Sequence, residues 1–188
     1  MSVREDIIDQ TQDLMYRQGY VATSISDIMK AANVGKGQLY HYFTSKKQIG
    51  IEVTQSLIEK WDRELFQGIF ATDQSAEDKF LAMLDWVYEF HENQEGEIYY
   101  GCPMGNLIVE LSAQEKDFRV LLKDFIDQWL AGTAKVLQGI HPDWSEKKSL
   151  QEASNIIATI QGSILILKVS QDLSVLTKTV NDLKEKYL

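Results

Sequence analysis

The chain has 188 residues, a formal net charge of −9 and a hydrophobic content of 44%, enough apolar material for a real core. A sequence pI near 4.8 argues by bulk charge against a nucleic-acid binder. The single cysteine rules out an internal disulfide and suits a cytoplasmic protein. With only two prolines and no long alternating apolar pattern, the expected fold class is all-α. An N-terminal stretch over residues 1–50 and a larger remainder over residues 51–188 are both expected to be helical.

The N-terminal stretch from Met1 to Met15 carries acids at helical spacing and does not read as a signal peptide. A first helix is expected over Val3–Gln18, with Ile7, Ile8, Thr11, Leu14 and Met15 inward and Gly19 as its stop. Ser24 can N-cap the next helix, with Asp27 three residues on completing a near capping box. Ile25, Ile28, Met29 and Ala32 then share one face. Asn33 tolerates the left-handed backbone that ends a helix, and Gly35 can cap the following one. Ser45-Lys46-Lys47-Gln48 is an S-x-x-Q capping box that opens a fourth helix. Helix, short turn and helix over residues 24–43 is the spacing of a DNA-reading motif.

Charge supports that reading locally. Lys30, Lys36, Lys46 and Lys47 occur with no acid between Lys30 and Lys47. Residues 1–50 hold six Lys+Arg against five Asp+Glu, whereas the remainder holds thirteen against twenty-three. A basic stripe on an acidic body orients the molecule toward a polyanion and makes binding strongly salt-dependent. Lys36, Gln38, Tyr40 and His41 fall in the turns where this motif meets the major groove. Gln38 can bond an adenine edge, Lys36 can reach guanine, and Gly37 leaves room for close approach to the duplex. Thr23, Ser24, Tyr42 and Lys46 are phosphate candidates; Phe43 is assigned to the core.

The run G-Y-x-x-T-S-I-x-D-I-x-x-A-A-N-V-G-K-G-x-L-Y-H-Y-F-x-S-K-K resembles the N-terminal domain of TetR-family transcriptional regulators. The resemblance covers about residues 3–50. It implies a three-helix DNA reader, a helical ligand-binding and dimerisation domain, and repression of a palindromic operator relieved by a small molecule. By position it implies DNA contacts at Tyr40, His41 and Lys46. Gly35, Met29 and Lys47 depart from the residues common in the family, which are Ser, Ala and an acid.

Beyond Ser45 the chain reads as long helices. Ile49, Val53, Leu57, Trp61 and Leu65 recur every four residues along a helix expected to run to about Gly68, a natural lever between sites. Ser75 caps a fifth helix whose inner face is Phe80, Leu84, Val87, Tyr88 and His91, followed by a break at Asn93–Glu97. A short helix is expected over Pro103–Ser112, a long one over Lys116–Gly139 with Phe118, Leu121, Leu122, Phe125 and Trp129 inward, and a turn at His141-Pro142-Asp143. No uninterrupted 18-residue apolar run occurs, so no membrane span is expected.

The last two helices, Lys147–Val169 and Leu173–Tyr187, are expected to form a four-helix homodimer interface through Ile157, Ile160, Ile164, Leu176, Val180 and Leu183. Gly162 and Ser163 are small enough for close helix approach. Candidate effector contacts are Trp61, Trp86, Phe90, His91, Tyr99, Tyr100, Cys102, Met104, Asn106 and Trp129, mostly apolar with a few polar tips. In Gly101-Cys102-Pro103, Pro103 suits the first helical position, which puts Cys102 at an N-cap where thiolate is favoured. The stretch C-P-x-G-N-L followed by Glu110 is similar to one in some TetR-family regulators, including electrophile sensors. An oxidant- or electrophile-sensing repressor is therefore the alternative reading, and a helical protein-binding adaptor a third.

No cofactor and no metal are expected. His41, His91 and His141 lie far apart, no phosphate loop occurs, and Glu89, Glu92, Glu95 and Glu97 read as a solvated acidic helix end. An enzyme is not expected.

Overall fold

The computed structural model describes residues 2–94 and 98–188, which are helical with no strand among the described residues. The helices are α1 (Val3–Gln18), α2 (Ile25–Ala31), α3 (Lys36–Tyr42), α4 (Lys46–Trp61), a π-helical segment (Asp62–Phe70), α5 (Ala76–Glu92), α6 (Pro103–Leu111), α7 (Lys116–Ile140), α8 (Glu146–Ser170) and α9 (Ser174–Tyr187). They group into two compact units. One comprises residues 1–59 with 103–123, the other 60–102 with 124–188. The helix α6 thus packs with the N-terminal helices, a grouping that its place in the sequence does not suggest. Glu95 and Glu97, named above with the acidic helix end and the 93–97 break, lie outside the described residues.

Helix punctuation follows local chemistry. Ser2 and Glu5 form a capping box on α1, and Gly19, at φ +89°, ends it. Ser24 and Asp27 form the box on α2, and Asn33, at φ 52°, takes the left-handed turn that closes it. At Ser45 the box is altered. Gln48 N donates to Ser45 Oγ at 3.1 Å, but Gln48 Oε1 accepts from Thr44 N at 2.7 Å rather than from the cap itself.

In the first unit, Ile7, Ile28, Leu39, Phe43 and Ile49 are shut from solvent. Each such side chain stabilises by roughly 1.5–3 kcal/mol relative to exposure. Leu14 and Leu121, expected inside, are half-buried.

The expected single helix from residue 45 to 68 continues to Phe70 but changes its winding after Trp61. Ala71 N donates to Phe66 O, five residues back, at 2.9 Å. The apolar residues Ile49, Val53, Leu57, Trp61, Leu65 and Ile69, all buried, explain the change. At 3.6 residues per turn a four-residue step overshoots a full turn by about 40°, so three α steps carry the buried line about 120° around the helix. A π turn holds more residues, so the next two steps fall short of a turn and bring the line back.

In the second unit, α5 packs on α9 and on the π segment, and α8 packs on α9. Ile157, Ile160, Ile164, Leu176, Val180 and Leu183 are all buried within this one chain. They therefore do not present themselves to a second copy, which corrects the expectation for these six. Their apolarity is used in joining α8 to α9. Ser163 is buried too, and accepts from Thr179 Oγ1 at 2.9 Å. The exposed apolar residues of α8 are instead Leu150, Leu165, Ile166 and Val169, the last 82% exposed. Between them Gly162 is open, with nothing near its missing methyl. By length and composition α8 is apolar enough to cross a membrane, with mean hydropathy 1.3 over its most apolar window. Polar residues such as Asn155, Thr159 and Gln161 interrupt its apolar stretch, so no uninterrupted run marks it in the sequence.

Candidate nucleic-acid interface and effector region

Helix α3 is one short exposed element. Gly35 caps it without a side-chain bond, and only Leu39 along it is buried. That single anchor, with Phe43 just beyond, fixes which face looks out. Lys36, Gly37, Gln38, Tyr40 and His41 are all exposed, Tyr40 by 45%. The structure thus brings together the five residues expected to face a duplex. A Cβ at Gly37 would meet nothing within 4 Å, so the protein itself makes no use of the space. Tyr42 is half-buried, with the His41 ring edge-on at 4.9 Å and Phe43 at 6.4 Å.

The phosphate candidates divide. Ser24 is exposed, but its hydroxyl is 2.6 Å from Asp27 Oδ2. The Ser24 hydroxyl and backbone N–H together hold the Asp27 carboxyl below its ordinary pKa. Thr23 is 1% exposed; its hydroxyl donates to Gly19 O at 2.7 Å and is 3.3 Å from the Gln18 amide. Thr23 is therefore committed to the α1–α2 corner, which corrects its expected contact with phosphate. Its β-branched polarity gave no sign of this.

Lys46 is half-buried at the start of α4. Its ammonium donates to Val21 O at 3.1 Å and lies 4.4 Å from the Tyr20 ring centre. Burial pulls its pKa below the ordinary lysine value, opposed by the Glu110 and Asp27 carboxylates. Lys47 faces the other way, 3.0 Å from Glu115 and 2.8 Å from Asp117. Those carboxylates raise its pKa and take up the charge that sequence reasoning had placed beside DNA.

In the second unit the aromatic side chains converge on Trp61. Its ring centre lies 5.0 Å from Trp86, 5.4 Å from Phe125, 6.2 Å from Phe90 and 6.4 Å from Trp129. Trp86 donates its indole N–H to Glu64 at 3.1 Å. The Trp61 and Trp129 indole N–H groups are buried and meet no acceptor. His91 is buried beside Phe90, its Nδ1 3.3 Å from the Gln94 amide, and burial pulls its pKa down to about 4. Imidazole is therefore neutral at pH 7.

Four of the candidate effector residues, Trp61, Trp86, Phe90 and Trp129, thus form one cluster, with His91 adjoining. Phe66 and Phe125, not among the sequence candidates, join it at 5.9 Å from each other. Tyr99 lies elsewhere, its backbone N–H donating to Gln171 Oε1 at 2.7 Å and its carbonyl accepting from Gln171 Nε2 at 3.1 Å. Tyr100 is half-buried. Cys102 is buried, its Sγ 3.5 Å from Gln161 Nε2. Met104 and Asn106 belong to the first unit, whereas the Trp61 cluster belongs to the second. No group of three or more potential metal ligands occurs among the described residues.

Two family signatures match the sequence: bacterial regulatory proteins of the tetR family over residues 7–53, and the C-terminal domain of LmrA/YxaF-like transcriptional regulators over residues 76–182. An HTH-type transcriptional regulator in the lacX 3′ region of Lactococcus lactis subsp. lactis is 40% identical over 99% of this chain and 93% of its own length. The HTH-type transcriptional repressor NemR of Escherichia coli K12 is 24% identical over 96% of this chain and 92% of its own. Among solved structures, a TetR transcriptional regulator from Legionella pneumophila shares the fold with a TM-score of 0.86 at 20% identity, covering 100% and 98% of the two chains. The reduced form of E. coli NemR does so with a TM-score of 0.80 at 23% identity, covering 98% and 96%.

Proposed function

Because the chain belongs to the TetR family of bacterial transcriptional regulators, we propose that it is a ligand-responsive repressor that binds a palindromic operator as a homodimer and is released by a small molecule. Residues 1–50 read DNA; residues 51–188 bind the effector and dimerise. The observation that carries the reading is the exposed run Lys36, Gly37, Gln38, Tyr40 and His41 on one short helix, with no acid between Lys30 and Lys47. Such a helix reads base edges while neighbouring cations and hydroxyls set register on phosphates. Relatives named as repressors, NemR and DhaR, favour repression over activation. Action on DNA places the protein in the cytoplasm.

A helix-turn-helix reader gains specificity from two half-sites about one helical turn apart, which calls for two copies. The outer face of α8, with Leu150, Leu165, Ile166 and Val169 around Gly162, is the surface for the second copy. The effector site is the Trp61 cluster. Its two indole donors without an acceptor suit an effector that brings an oxygen acceptor among apolar atoms. Effector and operator act on each other through α4 and the π segment that continues it, and linkage requires each to weaken the other by the same factor.

The test is selection of bound DNA from a random duplex pool, run beside a Tyr40→Ala/Lys46→Ala double variant. The expected result is an enriched palindrome that the variant loses. Enrichment surviving in the variant, or none in either protein at low salt, defeats the reading; an enzyme or an adaptor would keep its activity in that variant.

Cys102 supports a second reading, an electrophile- or oxidant-responsive repressor. Pro103 occupies the first position of α6 and Cys102 stands just before it, where the helix end favours thiolate. Against it, the thiol is buried. Exposure to N-ethylmaleimide followed by intact-mass measurement decides: a single adduct with loss of operator binding supports it, and an adduct without that loss rejects it.

A further inference from the structure

Glu110 lies on α6, far in sequence from the DNA reader, yet its carboxylate is bonded into the corner between α1 and α2. Glu110 Oε2 accepts from Tyr20 N at 2.9 Å and Oε1 accepts from Val21 N at 2.7 Å. A carboxylate receiving two backbone N–H groups is a strong, directional anchor. The corner is shaped to admit it. Gly19 has φ +89°, and a Cβ there would stand 3.0 Å from Glu110 Oε1, so both the backbone and the absent side chain are needed for the approach.

The same corner holds Lys46. Val21, whose N–H goes to Glu110, offers its carbonyl to the Lys46 ammonium, and the Tyr20 ring lies under that ammonium. The Tyr20 ring is in turn wedged against α4 one turn further on. A Cβ at Gly50 would sit 2.5 Å from Tyr20 Cε2 and 3.0 Å from Phe118 Cζ, and the Tyr20 and Phe118 ring centres lie 5.3 Å apart. Fixing the Tyr20–Val21 backbone therefore fixes both the ammonium of Lys46 and the seat of the helix that bears it. With one bond spent on Val21 O, Lys46 retains two N–H donors.

We propose that Glu110 is a positioning residue for DNA reading: it sets where the Lys46 ammonium stands and so how it meets the operator phosphate. The proposal rests on the DNA-binding assignment above and deepens it. It also gives the reader a second handle. Any displacement of α6 pulls on two hydrogen bonds of the α1–α2 corner.

Glu110→Ala, Glu110→Gln, Lys46→Ala and the Glu110→Ala/Lys46→Ala double variant, all in the full-length chain, test this on the selected operator. Glu110→Ala is expected to weaken operator binding about tenfold, the order carried by a hydrogen bond to a charged group. It is also expected to reduce the salt slope toward that of Lys46→Ala, by up to about one unit. Glu110→Gln, keeping one acceptor, should fall between. In the Lys46→Ala background the Glu110→Ala effect should largely vanish, because coupled residues are non-additive. Amide exchange at Tyr20 and Val21 should quicken in Glu110→Ala while the α5 and α8 amides keep their protection.

Additive losses in the double variant, or an unchanged salt slope and affinity in Glu110→Ala, would overturn the proposal while leaving the DNA assignment intact. Absence of any selected duplex for the wild-type protein would remove both. If Glu110→Ala loses protection throughout the chain, the Glu110→Gln slope and its additivity with Lys46→Ala decide.

Discussion

Replacing Gly37 by alanine should raise stability and lower function in the same molecule. Gly37 lies inside α3, it is exposed, and an added Cβ has nothing within 4 Å to meet. Glycine in a helix interior is about 0.5–1 kcal/mol worse than alanine, and no clash opposes the gain. For a chain of this size that stabilisation raises Tm by roughly 1–4 °C. On the operator the methyl occupies the space that the duplex would fill. Forcing a methyl into a close-packed contact costs about 1–3 kcal/mol, or roughly 5- to 150-fold in affinity. Differential scanning calorimetry and operator titration by fluorescence anisotropy measure the two effects on one preparation. A variant that melts higher and binds its operator as tightly as wild type would refute the placement of α3 against the duplex. A variant that melts lower would refute the account of the space around Gly37.

Gly50→Ala should behave oppositely although it too adds one methyl to a helix. Its gain of up to about 1 kcal/mol is outweighed by contact with the Tyr20 and Phe118 rings, where overpacking costs about 1–3 kcal/mol; urea unfolding should show a net loss. Ile166→Glu on the outer face of α8 should shift the sedimentation profile from dimer toward monomer with secondary structure unchanged by circular dichroism, and an unshifted dimer would place the interface elsewhere. His91 is held neutral by burial, with a pKa near 4 against an ordinary 6.5. The unfolded chain therefore binds more protons between those values, and stability present above pH 6.5 is lost as pH falls toward 4, by up to about 3 kcal/mol. His91→Phe should flatten that part of the stability–pH curve; an equally steep curve would mean that other groups set it.

Local chemistry made the helices legible. Ser24, Asn33, Gly35 and Ser75 each take a role that backbone geometry demands of their type, and the exposed face of α3 is legible because only Leu39 along it is buried. Partnership between distant segments was not legible. Thr23 and Ser24 are neighbours with similar side chains, but Thr23 turns inward to Gly19 O. Lys47 reads as part of the basic stripe, yet Glu115 and Asp117 stand beside it. The six aliphatic residues assigned to a dimer interface have the right pattern for burial, and periodicity does not say whether the burying surface belongs to the same chain. Glu110 was visible only as part of a motif around Cys102. Its two backbone partners lie 90 and 89 residues away, and nothing in a single sequence marks a backbone N–H as waiting for a carboxylate.

The π segment after Trp61 carries a consequence for changes in length. Helix interiors ordinarily tolerate insertions and deletions badly, because one residue rotates everything beyond it by about 100°. Here the four-residue spacing from Trp61 to Leu65 to Ile69 is wider than α winding requires. Removing the exposed Arg63 would turn it into three followed by four, the step pattern of an ordinary apolar helix face. This stretch holds a spare residue, and a one-residue deletion that would cripple α4 or α8 is the change it is built to absorb.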